Sequence, residues 1–427
     1  MHGAVRQPVS GTVITLNGKG QVMGHSNQGI TSLVAARKSL WQRILCHWAD
    51  KIEAGRLTVC FPGGGEYVAT GSILGPSAVI HLKNARPVYR LLTGGALGFA
   101  RSHIDGDFET PDLGALLELA LANENALRSV MEPSAILAKL AYLRHRRRRN
   151  TKAGSRRNIS FHYDLGNEFY GLWLDQTMTY SSALFETPDQ SLAQAQEAKY
   201  ARILRELEIG PSDHVLEIGS GWGGFAEYAI RKTGCRVTGL TLSTEQANFA
   251  RARLDRAGFA DRFDIRLEDY RDCRGEFDKV VSIEMFEAVG EENWPAYFET
   301  VRKRLAPGGR AMVQTITISG GCFDQYRKNA DFIQTYIFPG GMLPSVPSFR
   351  SIAEACGMQV KEMFGFGKDY NRTLLSWDSA FTSNWQKIAA LGFDSRFYRM
   401  WRYYLQYCAA GFRTGRIDVV QFHLERA

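Results

Sequence analysis

The run Val215-Leu216-Glu217-Ile218-Gly219-Ser220-Gly221-Trp222-Gly223-Gly224 combines an apolar stretch, one carboxylate and four glycines. Glycines let a chain turn sharply and bring its backbone against a ligand without Cβ clashes. A dinucleotide would set its pyrophosphate at such a strand-to-helix turn. The spacing here fits the dinucleotide pattern only loosely, however, and Glu217 would repel a pyrophosphate. An acid at that place suits a cationic, amine-bearing ligand. S-Adenosylmethionine, with its ammonium and its sulfonium, answers that description; an ordinary strand–glycine–helix turn shares the same spacing. The next strand ends at Gly239-Leu240-Thr241-Leu242-Ser243 with no acid for a ribose. That leaves Ser243 or Gln246 for the role.

These residues need a frame. Strand patterns at 214–218, 236–242, 263–267, 279–283 and 310–318 alternate with helical patterns at 223–232, 245–257 and 292–305. Such alternation predicts a doubly wound, mostly parallel α/β sheet. Residues 359–364 and 418–424 are expected as added edge strands. Upstream, strand-like runs at 57–61, 67–69 and 78–82 precede helical patterns at 113–121 and 136–143, which predicts a smaller N-terminal α+β domain. The expected order is a flexible tail (1–35), that N-terminal domain (36–143), a basic linker (144–157) and the α/β domain (158–427).

Bulk composition narrows the function classes. The chain has 427 residues, 44% of them hydrophobic, ample for a large core. No run of about 18 apolar residues occurs and the N-terminus lacks a secretory signal pattern. Seven scattered cysteines with no CxxC pair indicate neither a zinc site nor a disulfide framework. A reduced, cytoplasmic setting is expected. The net charge of +8 suits a polyanion partner, either nucleic acid or an anionic membrane surface. Eight of the fourteen residues 144–157 are Arg or Lys.

Beyond the glycine run, ordered motifs resemble the cyclopropane-fatty-acyl-phospholipid synthases and the related mycolic-acid cyclopropane synthases. They are His162-Tyr163-Asp164-Leu165-Gly166-Asn167, Met178-Thr179-Tyr180-Ser181-Ser182-Ala183, Met285-Phe286-Glu287-Ala288-Val289-Gly290, Tyr336-Ile337-Phe338-Pro339-Gly340-Gly341-Met342-Leu343-Pro344-Ser345, Asp369-Tyr370 and Cys408-Ala409. The resemblance runs in order from residue 158 to the C-terminus. It implies a class I S-adenosylmethionine methyltransferase fold, a Rossmann-like doubly wound sheet. It also implies methyl transfer to the cis double bond of an unsaturated phospholipid acyl chain, giving a cyclopropane. The cofactor would lie against Tyr180, Ser181, Glu217, Gly219, Gly221, Gly223, Thr241, Leu242, Ser243, Gln246, Glu268 and Asp269. Aromatic faces would steady the cationic chain, with Tyr163, Tyr180, Phe286 and Tyr370 as candidates and core packing as the alternative for each.

In the family that it resembles, a bound bicarbonate is the base. It is held by an acid, a tyrosine, a backbone group, a histidine and a cysteine. Glu287, Tyr370 and Ile316 match, but Ser182 stands in the cysteine's place and Gln314 in the histidine's. Ser and Gln can donate hydrogen bonds, yet neither carries a proton as histidine does. A relocated base could remove a different proton and give a methylene- or methyl-branched chain. Cys408 lies in a family motif, although no step needs a thiol. The basic run 144–157 is a natural contact for an anionic membrane surface, with peripheral attachment expected. The apolar loop 333–346 is a candidate entry lip for the acyl chain. The first domain would serve lipid docking or homodimer formation.

Two rival readings have their own signatures. A nucleic-acid aminomethyltransferase would carry an Asn/Asp-Pro-Pro-Tyr-like loop where Ile283-Glu284-Met285-Phe286 stands, and a base C5-methyltransferase would need a Pro-Cys pair, which is absent; no nucleic-acid partner is expected. A lipid-binding protein with a degenerate site would not need the intact glycine run, Glu287 and Tyr370.

Overall fold

A computed structural model describes residues 38–131, 154 and 165–427. The expected tail, the helix over 136–143, the basic run apart from Gly154, and Tyr163 lie outside them. Residues Leu40–Ala427 form one compact unit, and all that follows concerns it.

The first sheet comprises β1 (Ala54–Cys60), β2 (Glu66–Thr70), β3 (Ile73–Leu82) and β4 (Phe108–Glu109), in the order β2-β1-β3-β4. β1 pairs antiparallel with β2 and parallel with β3. Helix Leu113–Ala122 starts where the Asp112 side chain accepts from the amide of Ala115, a common N-cap. Its Leu116 and Leu119 pack with Val59, Ala78 and Ile80 of the sheet. At its end the buried Asn123 side chain accepts from the amides of Glu53 and Ala54 and donates to the carbonyl of Ala54. One amide side chain thus satisfies the backbone where β1 begins.

The second sheet has seven strands: β5 (His214–Ile218), β6 (Arg236–Thr241), β7 (Phe263–Leu267), β8 (Phe277–Ile283), β9 (Leu305–Ile318), β10 (Met358–Gly365) and β11 (Ile417–Arg426). The order is β10-β11-β9-β8-β5-β6-β7. β5 to β9 are mutually parallel, and β11 runs antiparallel to both β9 and β10. The expected doubly wound α/β fold is therefore present. Of the two expected edge strands, β10 is at an edge, but β11 is inside the sheet. The reason is burial: Val419, Val420, Gln421 and Phe422 are consecutive and all buried, which requires cover on both faces.

Strand order reverses between β5 and β8. The crevice beyond the carboxyl ends of those strands is where open α/β sheets bind ligands. Over it lies a helical cap. Sequence patterns assign no element to helices Gly367–Ser383 and Ser395–Arg413, yet both are long and well packed. Trp173, Trp377 and Trp401 are fully buried there among Phe169, Tyr170 and Tyr404. The cap is also joined to the helices around the four-stranded sheet. Arg413 pairs with Glu118, Arg416 with Glu124, and Arg399 donates to the carbonyl of Ile104.

Candidate active site

At the end of β5 the chain turns through Gly219 (φ 88°), Gly221 (φ 51°) and Gly223 (φ 80°). These are left-handed conformations that glycine adopts at little cost. The amides of Gly219 and Ser220 both donate to the carbonyl of Leu240 on β6. The indole of Trp222 donates to Asn167 Oδ1 at 2.6 Å, which ties that residue to the loop. Glu217 is buried, and its Oε2 has no hydrogen-bond partner among the described residues. Burial pushes its carboxyl well above the usual range, opposed by the charge of Lys199. An unpartnered buried acceptor facing this loop is what an ammonium group would complete. The residues present thus fit S-adenosylmethionine.

The other side of the crevice is acidic. Glu284 follows β8 directly, with φ at 51°, a conformation costly for a side-chain-bearing residue. Its Oε1 accepts from the Ser182 amide at 2.8 Å and from Gln314 Nε2 at 2.7 Å. Its Oε2 accepts from the Tyr370 hydroxyl at 2.6 Å. Glu287, one turn on, accepts from the Ile316 amide with Oε1, while its Oε2 is buried without a partner among the described residues. Burial, with repulsion from Glu284, pushes the Glu287 carboxyl up to about 8. Burial also raises Glu284, but the three donors and the charge of Lys199 favour its ionised form. Two adjacent buried carboxyls do not both ionise readily. Of the two, Glu284 with its three donors is therefore the one whose ionised form is favoured.

Of the four donors expected to hold a bicarbonate, those at Ser182, Gln314 and Tyr370 are thus engaged by Glu284 and that of Ile316 by Glu287. The residues present do not fit that ion as their shared ligand. Glu284 is absent from the sequence expectation. So is Lys199, fully buried under the site, which donates to Ser181 Oγ at 2.6 Å and to Gln196 at 2.7 Å. Burial brings its ammonium down to about 7. A usable signal existed: Ala195, Lys199 and Ile203 recur every four residues on one buried helix face, so a lysine there must be buried too.

One cavity of about 320 Å³ joins the glycine loop to the acidic pair. Tyr180, Ser181, Glu217, Gly219, Gly221, Thr241, Leu242, Gln246 and Glu268 line it, as do Glu284, Glu287, Ile316, Tyr370 and Cys408. Gly223, Ser182 and Gln314 stand behind the wall. Ser243 instead caps helix Thr244–Arg256 by accepting from the Gln246 amide. Asp269 is engaged by Arg271 in a two-point ion pair. Gln246 takes a hydrogen bond from Thr241 at 2.9 Å through Oε1 and so turns Nε2 elsewhere. Phe286 faces away, packed in the core among Trp294, Tyr297, Phe298 and Phe349. Burial raises the Cys408 thiol, so no thiolate forms there at neutral pH. Ile333, Phe338, Leu374, Tyr404 and Phe412 give the cavity its apolar side. The expected lip loop begins with a single π-helical turn, Ile333–Ile337.

Residues 150–422 match the mycolic acid cyclopropane synthetase family. A tuberculostearic acid methyltransferase of Mycobacterium tuberculosis is 36% identical over 408 residues, 92% of each chain. The chain belongs to this family. The cyclopropane-fatty-acyl-phospholipid synthase of Escherichia coli is 35% identical over 356 residues, 82% of this chain and 88% of that protein. A mycolic acid cyclopropane synthase crystallised with S-adenosylhomocysteine and CTAB superposes with a TM-score of 0.60 at 34% identity, covering 64% of this chain and 98% of its own. In fold, this member of the mycolic acid cyclopropane synthetase family is a class I S-adenosylmethionine-dependent methyltransferase. Among its described residues, no helix is long and apolar enough to cross a membrane.

Proposed function

We propose that this chain methylates the cis double bond of an unsaturated phospholipid acyl chain and closes a cyclopropane ring. The observation that carries this is the single cavity. It has a glycine loop with an unpartnered acid at one end, a buried carboxyl pair at the other, and an aliphatic and aromatic side between them. An acyl chain needs the apolar side; a donor with an ammonium needs the acid.

S-Adenosylmethionine, when bound, supplies an electrophilic methyl group. The chain's own residues do the rest. Glu217 would neutralise the ammonium, Gln246 would reach the ribose, and Glu268 would lie against the donor. The cap walls exclude water, which would otherwise quench a cationic acyl chain. The hydroxyls of Tyr180 and Tyr404 hydrogen-bond at 2.7 Å. That bond fixes two aromatic faces beside the cavity, where they steady positive charge. The substrate lies in a bilayer, so the protein must work at its surface, and the basic run 144–157 suits an anionic one.

A second reading has a specific observation behind it. The relative matched over 92% of this chain is named for tuberculostearic acid, and the protein would then make a methylene- or methyl-branched chain. One experiment tests both. The protein is incubated with cis-unsaturated phospholipid vesicles and methyl-labelled S-adenosylmethionine, and the acyl chains are analysed by mass spectrometry. A labelled gain of one carbon is expected, and fragmentation separates ring from branch. No labelled chain, with the donor shown to bind, would overturn the proposal.

A further inference from the structure

Methylation of an alkene leaves a cation that must lose a proton, so the site needs a base. The hydrogen bonds around Glu284 show which group is built for this. The Arg202 guanidinium has only donors, and it donates to Gln421 Oε1 at 2.7 Å. Gln421 must therefore turn its NH₂ group inward, where it donates to Gln314 Oε1 at 3.0 Å. Gln314 in turn must present its own NH₂ to Glu284. The backbone amide of Ser182 is also an obligate donor. Two N–H donors thus meet at Oε1 of Glu284, so that oxygen carries no proton. The chain of amides fixes Glu284 as an acceptor inside the cavity, and the residue tolerates a left-handed backbone to stand there.

We propose that the Glu284 carboxylate is the base of this enzyme, standing where the same donors would otherwise hold a bicarbonate. The inference rests on the lipid-methylation reading above. The alkene π pair forms a carbon–carbon bond to the methyl carbon as the carbon–sulfur bond breaks and its electron pair leaves with the sulfide. The other alkene carbon becomes cationic. Glu284 then takes a proton from the transferred methyl, and the freed C–H pair closes the third side of the ring. If a hydride first moves from the methyl-bearing carbon to the cationic one, the same proton removal gives a methylene branch instead. The proton passes from Glu284 to water after product leaves. Ser182, Gln314, Gln421 and Tyr370 are positioning residues for this carboxylate.

The test uses the full chain, the vesicle assay and buffers freed of carbon dioxide. Wild-type turnover should change less than about twofold when bicarbonate is removed or restored. Glu284→Gln should lose on the order of 10²- to 10⁴-fold, the usual contribution of a positioned base, with donor affinity unchanged as proof of folding. Glu284→Gly relieves the backbone and frees the donors, so its residual turnover should rise with added bicarbonate. Binding of ¹³C-labelled bicarbonate, followed by NMR, should be seen in Glu284→Gly and not in wild type. Near-normal turnover of Glu284→Gln, or bicarbonate binding and dependence in wild type, would overturn the assignment and leave the lipid reading intact. A wild-type protein that labels no acyl chain would overturn the lipid reading, and the base's role with it.

Discussion

Arg202 donates to Gln421 at 2.7 Å, and this contact between a helix and the interior strand β11 sets the direction of every amide on the way to Glu284. Gln421→Met should loosen Gln314 and lower kcat by about 5- to 10-fold, the scale of one lost hydrogen bond between neutral amides. The KM for S-adenosylmethionine should stay constant, since Gln421 does not reach the glycine loop. Steady-state kinetics checks this; an equal change in both constants would mean general damage.

Tyr370→Phe removes the hydroxyl that donates to Oε2 of Glu284. Hydrogen bonds to charged groups contribute about 1.5–3 kcal/mol, so turnover should fall about 10- to 100-fold with the ring still packed on Phe412. Unchanged turnover would show that the phenol does not act on the carboxylate.

Glu217→Gln should weaken S-adenosylmethionine binding about 10- to 100-fold without lowering the melting temperature. Burial pushes the Glu217 carboxyl well above the usual range, which a bound cation would reverse. Binding to wild type should therefore release a proton, seen as a calorimetric enthalpy that depends on the buffer. The variant should lose that dependence.

Glu287 predicts a pH effect of fixed sign. Its folded carboxyl titrates at about 8, far above an unfolded glutamate near 4.3. The folded state thus holds the extra proton between those values. Its contribution to stability is complete below the unfolded value and is lost as pH rises through about 8. Relative to Glu287→Gln, which mimics the protonated acid, wild type should lose stability between pH 5 and 8 by at most about 1.4 kcal/mol per pH unit. The difference should then stay flat at higher pH. Denaturant melts at several pH values would show it.

Neutralising Arg146 to Arg149 should weaken attachment to anionic vesicles by about 1 kcal/mol per residue and reduce its salt sensitivity. Activity on detergent-dispersed lipid should persist. Co-sedimentation measures the first, and equal binding by the variant would remove the run from the membrane contact.

Much of this architecture is legible in the residues. Alternation and glycine punctuation locate β5 to β9, because buried apolar pairs such as Val215-Leu216 in β5 and Val280-Val281 in β8 stand out, and β7 shows an apolar/polar alternation. The strand misplaced as an edge, β11, hides its interior position behind Asp418 at one end and Glu425-Arg426 at the other. The cap helix Ser395–Arg413 carries a usable signal, since Trp401, Leu405, Ala409 and Phe412 recur at helical spacing on its buried side. Glu284 carries no such signal. Its meaning comes from partners 102, 30 and 86 residues away in sequence, and convergence of that kind is written in the topology alone. The pairing of Asp269 with Arg271, two residues on, is likewise not visible in the spacing of the motif.

Leu121, near the end of helix Leu113–Ala122, lines the cavity together with Arg416, whose partner Glu124 follows that helix. The chamber is thus finished by two stretches of chain nearly 300 residues apart. Exchanging the N-terminal region between relatives would recut one side of the acyl tunnel while the methyl-donor site stayed intact. Chimeras of this kind offer a handle on chain-length preference that does not disturb the chemistry.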